Sequence, residues 1–142
     1  MLFHSVRKFI NQTKFDWLIM IIVFILYEIN NNIIIEYLSG SLKNFFISYF
    51  DDMICTTFFI AYINFFLTIK NKKIVKLKYI VIICIILGFF WEYITPIYKP
   101  DTTTDILDLV FYIIGGIFYW KMLQVHNKKI YLKGELKNEI YK

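Results

Sequence analysis

The sequence predicts an all-α integral membrane protein of four transmembrane helices with both termini in the cytoplasm. Three observations lead there. The chain of 142 residues is 58% hydrophobic, above the roughly 45–50% apolar content of soluble domains. Its apolar residues gather in four blocks, each near the roughly 20 residues that cross a bilayer. The lysines then flank those blocks mainly on one side. The expected layout is a cytoplasmic segment over 1–14, a transmembrane domain over 15–123 and a lysine-rich cytoplasmic tail over 124–142. Within the domain the helices are expected at about 15–38, 48–69, 77–98 and 103–123.

The first helix follows Arg7, Lys8 and Lys14. It is followed by Glu28 and Asn30–Asn32 instead of a small-residue cleavage site, so it reads as uncleaved. Thr13 and Asp16 suit a helix start, where an acid complements the dipole. Glu28, Asn32 and Glu36 follow at i, i+4, i+8 and share a face, which is expected to turn toward protein or water. The three asparagines allow a break near Asn30.

Residues 39–50 read as a connector, with Gly40 as a helix stop and Phe45, Phe46, Tyr49 and Phe50 at the membrane interface. The second helix carries Asp51 and Asp52 at its start and one strongly polar interior residue, Asn64, suited to an interhelical hydrogen bond. The third has Glu92 as its one charge between Tyr79 and Tyr98, and Pro96 near its end. The fourth opens after the cap candidates Thr102–Thr104. Its Gly115 and Gly116 permit close approach of a neighbour. The tail reads as helix, hairpin around Gly134, or disorder.

Orientation follows from the basic residues. Of 16, three precede the first helix, five lie between Lys70 and Lys78, and six lie from Lys121 onward, leaving only Lys43 and Lys99 on the other side. The positive-inside rule places the three rich segments in the cytoplasm. Anionic lipid explains these lysines, and no further role is assigned to them. Eight of the 11 acids lie toward the opposite, outer half.

Several function classes are excluded. The basic residues flank apolar blocks and include a single arginine, Arg7, so nucleic acid is not a partner. Cys55 and Cys84 have no CxxC spacing and read as small buried hydrophobes without a disulfide. Both histidines, His4 and His126, lie on the cytoplasmic side, which counts against Ser-His-Asp or Cys-His chemistry at the outer end.

The outer acids are the candidate site. Glu92 is expected about four to six residues deep, or roughly 6–9 Å, with Asp108 at a similar level and Asp105 on the same face at i, i+3. Asp51, Asp52 and Glu28 are possible second members. The competing structural reading makes Asp105 a cap of the fourth helix, Asp51 and Asp52 caps of the second, Asp101 a solvated loop acid, and Trp91 an interfacial anchor like Trp17 and Trp120. Carboxylates without imidazole or thiolate suit a hard cation such as Mg²⁺ or Ca²⁺.

Glu92, Asp105, Asp108 and Gly115 are spaced in a way that resembles the VanZ-like family of small bacterial membrane proteins. That family places a Glu in a helix, then a loop, then Asp-x-x-Asp opening the next helix. The match covers about 25 residues. The chain departs from the pattern at Thr95, where the family has Gln, at Tyr112, where it has Asn, and in lacking the loop Arg. The resemblance implies a bacterial plasma-membrane location, a role in the cell envelope and, in some members, glycopeptide-antibiotic resistance.

Three functions remain open. The first is an outward-facing acidic pocket that binds a cation or a cationic envelope ligand, with a possible part in transport. The second is a metal-dependent enzyme acting on a lipid-linked substrate, the less favoured reading. The third is a non-catalytic subunit or scaffold that pairs with another membrane protein.

Overall fold

In the computed structural model, which describes residues 2–98 and 105–140, every element is helical. Helix α1 runs Leu2–Ile29, passes through a π-helical turn at Asn30–Ile34 and ends at Ile35–Tyr37. Helix α2 runs Gly40–Phe45, a π turn at Phe46–Phe50, then Asp51–Ile69. Helix α3 runs Leu77–Phe89, a π turn at Phe90–Ile94, then Thr95–Tyr98. Helix α4 is uninterrupted over Ile106–Ile140. All four are long and apolar enough to span a membrane.

Three boundaries differ from those expected. Helix α1 begins well before residue 15, because nothing between Leu2 and Lys14 breaks a helix; Asp16 is therefore interior, not in a first turn. Residues 40–50 are helix rather than connector. The chain leaves α1 through extended Leu38 and Ser39, and Gly40 takes φ of +60° to start α2. A glycine adopts that conformation without a Cβ clash, so Gly40 marks a reversal, not only a stop. The tail continues α4 through Gly134, whose cost of about 1 kcal/mol does not end a helix already nucleated. Thr102–Thr104 and Asp101 lie outside the described residues.

The asparagine run does not break α1. It forms the π turn, in which one extra residue is absorbed while the helix continues. Near Pro96 the π turn of α3 has a clear cause. Proline has no N–H to give the preceding turn, and the wider turn lets the Thr95 N–H reach the Phe90 carbonyl, with the Thr95 hydroxyl 3.3 Å from the same oxygen.

The helices run up, down, up and down. Helix α1 packs on α2, α2 on α4, and α4 on α3. Ile60 of α2, Ile80 and Cys84 of α3, and Tyr119 and Leu123 of α4 are fully buried between them. The predicted glycine contact is real and close. A Cβ on Gly116 would collide with the Cys84 sulfur, and one on Gly115 with the Met53 carbonyl oxygen. The Thr57 hydroxyl spans the same seam, 2.9 Å from the Met53 carbonyl and 3.0 Å from that of Gly115. Outward faces carry Ile21, Phe24, Ile82, Ile86, Phe89 and Phe118, all exposed. Hydrogen-bonded helices with apolar exteriors are the form a chain takes in hydrocarbon, where no water satisfies the backbone.

Candidate functional site at the acidic end

One end of the bundle gathers the acids and the other the lysines. At the acidic end α2 reaches past the start of α4. Gly40 opens it, so Asp52 lies about twelve residues in, roughly 18 Å along the axis. Asp51 and Asp52 follow a π turn in mid-helix and cap nothing. Because they are consecutive, they face different neighbours.

Asp51 turns to α1. The Asn30 amide donates to Asp51 Oδ1 at 2.8 Å and to the Phe46 carbonyl at 3.0 Å, and Asn31 donates to Asp51 Oδ2 at 3.2 Å. Asn30 is fully buried, and its Oδ1 has no partner among the described residues. That leaves a buried acceptor oxygen next to a carboxylate.

Asp52 turns to α4. Its carboxylate neighbours are Asp108 and, further off, Glu92, and the Tyr112 hydroxyl adjoins it. Among the described residues no basic side chain forms an ion pair with Asp52 or Asp108. Adjacent carboxylates in a low-dielectric site do not both stay ionised unless a cation lies between them, and otherwise they share a proton.

Glu92, Asp105 and Asp108 meet at the N-terminus of α4. Glu92 Oε2 accepts the Asp105 backbone N–H at 3.1 Å, tying α3 to α4. Asp105 Oδ1 accepts the Leu107 N–H at 2.9 Å, as a helix cap does, and its Oδ2 accepts the Tyr49 hydroxyl at 3.1 Å. Asp108 occupies the first turn of α4. Helix N-terminal amides favour negative charge, so the capping explanation holds for Asp105 and contributes at Asp108. Asp52, on the flank of α2, is compensated by no helix end.

Of the candidate residues, the structure therefore brings together Glu92, Asp105, Asp108 and Asp52, with Asp51 one side chain away against α1. Glu28 does not join them. It is exposed, and its Oε2 accepts the Asn32 amide at 2.9 Å on its own helix. The stripe of Glu28, Asn32 and Glu36 faces away from the bundle, and the polar residue of this stretch that turns inward is Asn30. Among the described residues no group of three or more His, Cys, Asp or Glu side chains converges closely enough to hold a metal ion. A hard cation would find two carboxylates at once, Asp52 and Asp108, with the Tyr112 oxygen beside them. That number suits Mg²⁺, which keeps several waters.

No family model matches the chain, and no curated protein or solved structure matches it.

The basic end holds a network that the pattern of residues did not reveal. Asp16 is completely buried in α1. It accepts the Tyr119 hydroxyl at 2.6 Å and forms an ion pair with Lys73 at 2.7 Å. Asn64, the predicted interhelical donor, bonds to Tyr119 Oη at 2.8 Å and also clamps the loop between α2 and α3. Its Oδ1 accepts the Ile74 N–H at 2.7 Å and its amide donates to the Ile74 carbonyl at 3.1 Å. Asp16 thus holds the loop rather than starting a helix, and Lys73 has a role beyond attraction to lipid. One sign was present in the sequence. Asp16 is the only acid near an apolar block on the lysine side until Glu135.

Proposed function

We propose that this chain is a multi-pass membrane protein whose acidic end is an outward-opening site for a cation or for the cationic part of a cell-envelope ligand. The meeting of Asp52 from α2 with Asp108 and Tyr112 from α4 carries the reading. Two carboxylates from different helices face one another, and neither has a basic partner among the described residues. Ionisable groups within a membrane span commonly mark a binding site or pathway. Three of the four helices carry π turns at this end, and such turns recur at functional sites because they re-aim side chains without ending the helix.

In this reading Asp52 and Asp108 bind the positive charge. Glu92 and Asp105 fix the start of α4 and with it the position of Asp108. The VanZ-like spacing of Glu92, Asp105 and Asp108 agrees with such a layout. Tyr112, where that family has Asn, supplies a hydroxyl to the same site. The lysine distribution supports an outer-face location for the site, and the VanZ-like spacing supports a bacterial plasma membrane.

Thermal unfolding in detergent across a panel of Mg²⁺, Ca²⁺ and spermidine tests the proposal. At least one cation should stabilise the wild-type protein, and Asp52→Asn should weaken that cation's apparent affinity by about tenfold or more. Identical cation responses from wild type and Asp52→Asn would refute it.

A second reading is favoured by one observation. Glu28 and Asn32 form a polar stripe on the bundle's exterior, which a partner helix could cover. If the protein is a subunit of a membrane complex, Glu28→Leu with Asn32→Leu should abolish co-purification of that partner while leaving the cation response intact.

A further inference from the structure

The five lysines between Lys70 and Lys78 are not equivalent. The loop that carries four of them, with Lys78 already in α3, is held in place from three sides. Asn64 pairs with both the N–H and the carbonyl of Ile74. The Trp120 indole and the Gln124 amide both donate to the Val75 carbonyl, at 3.1 and 3.4 Å. Lys73 is anchored to buried Asp16. The fixed loop forms a cavity of about 430 Å³ at the basic end. Lys72, Lys73 and Lys76 line it together with Leu67, Val75 and Tyr79. Lys70 and Lys78 are exposed but do not line it. Asp16 offsets the charge of Lys73, which leaves Lys72 and Lys76 as the exposed charges of the cavity.

From this geometry we infer that the cavity is a binding site for the phosphate headgroup of an anionic phospholipid. The lining is mostly apolar, from Leu67, Ile74, Val75, Tyr79 and the lysine stems, which suits the glycerol and the first acyl carbons, and the exposed Lys72 and Lys76 carry their ammonium groups at its edge, where a phosphate would sit. The cavity lies where an apolar span meets a basic loop, the depth at which headgroups sit. Basic pockets at the ends of membrane helices bind acidic lipids by this combination. A freely soluble phosphate would gain nothing from Leu67, Val75 and Tyr79, so the apolar lining favours a lipid. The site is separate from the acidic cluster and does not depend on its function.

Native mass spectrometry of the full-length protein, released from neutral detergent with phosphatidylglycerol or phosphatidylcholine of equal chain length, tests the inference. The wild type should retain phosphatidylglycerol preferentially. Two double variants remove equal charge. Lys72→Gln/Lys76→Gln should reduce the preference about tenfold or more, the loss expected when two charge-assisted contacts to one phosphate are removed. Lys70→Gln/Lys128→Gln, both exposed on the basic side but off the lining, should change it less than about twofold. Equal losses from the two pairs would mean diffuse attraction to the membrane and would overturn a defined site, as would no loss from the first pair or equal retention of the two lipids. Displacement of the lipid by millimolar glycerol phosphate would overturn the lipid assignment in favour of a soluble phosphate ligand. Circular dichroism melting of both variants checks that these exposed substitutions leave the fold intact.

Discussion

Single residues set the chemistry at the two ends of the bundle, and in opposite ways. Asp16 is wholly buried but answered by Lys73, Tyr119 and, through Tyr119, Asn64. Removing one member of a buried pair strands the other, at a typical cost of about 3–5 kcal/mol. Lys73 retains 23% exposure, so water recovers part of its charge when Asp16 is lost. Asp16→Ala is therefore expected to lower the unfolding temperature in detergent, and so is Lys73→Met. The double variant should be less destabilised than the sum of the two. Strict additivity in that double-mutant cycle would show that the pair does not act as a unit. Asp52 and Asp108 contrast with this pair. They face each other with no basic side chain paired to either among the described residues, so loss of one carboxylate is expected to harm binding more than folding.

At the scale of elements, the helices were legible from apolar blocks and the irregularities were not. Hydropathy locates α3 over 77–98, and its run Leu77–Tyr98 has those bounds. It cannot see that residues 40–50 are helical, since Phe45, Phe46, Tyr49 and Phe50 suit a helix as well as an interfacial connector. Their rings pack within α2 and onto Phe111 of α4, with Tyr49 stacked at 4.7 Å and Phe45 edge-on at 5.6 Å. These contacts lie far apart in sequence. The π turns are similarly hidden, because they answer local demands such as Pro96 and the inward pull of Asn30 on Asp51. In consequence, spacing alone put Asp51 and Asp52 at a helix start and made Glu28 a candidate for the pocket. The glycine seam was legible in kind. Because a methyl on Gly115 would strike the Met53 backbone rather than a movable side chain, Gly115→Ala should destabilise the protein by about 1–3 kcal/mol. A chemical or thermal unfolding series measures this, and a neutral result would mean that α2 and α4 can separate without loss.

Across the whole molecule, the acids and lysines occupy opposite ends of one up-and-down bundle. This polarity was the most legible property, since it needs only the order of charges and the number of spans. The partners of each charge were not, because pairs such as Asp16 with Tyr119 join residues 103 positions apart. Orientation is testable in cells. With Cys55 and Cys84 replaced by Ala, a cysteine at Ser41 should react with a membrane-impermeant maleimide added outside, and one at Lys72 only after the membrane is opened. The reverse pattern would place the acidic end in the cytoplasm. The cation site itself is tested most directly by an experimental structure determined with the cation that stabilises the protein best. The account predicts density for that cation between the carboxylates of Asp52 and Asp108, within reach of Tyr112. Density for it only elsewhere, with the two carboxylates unchanged, would contradict the account.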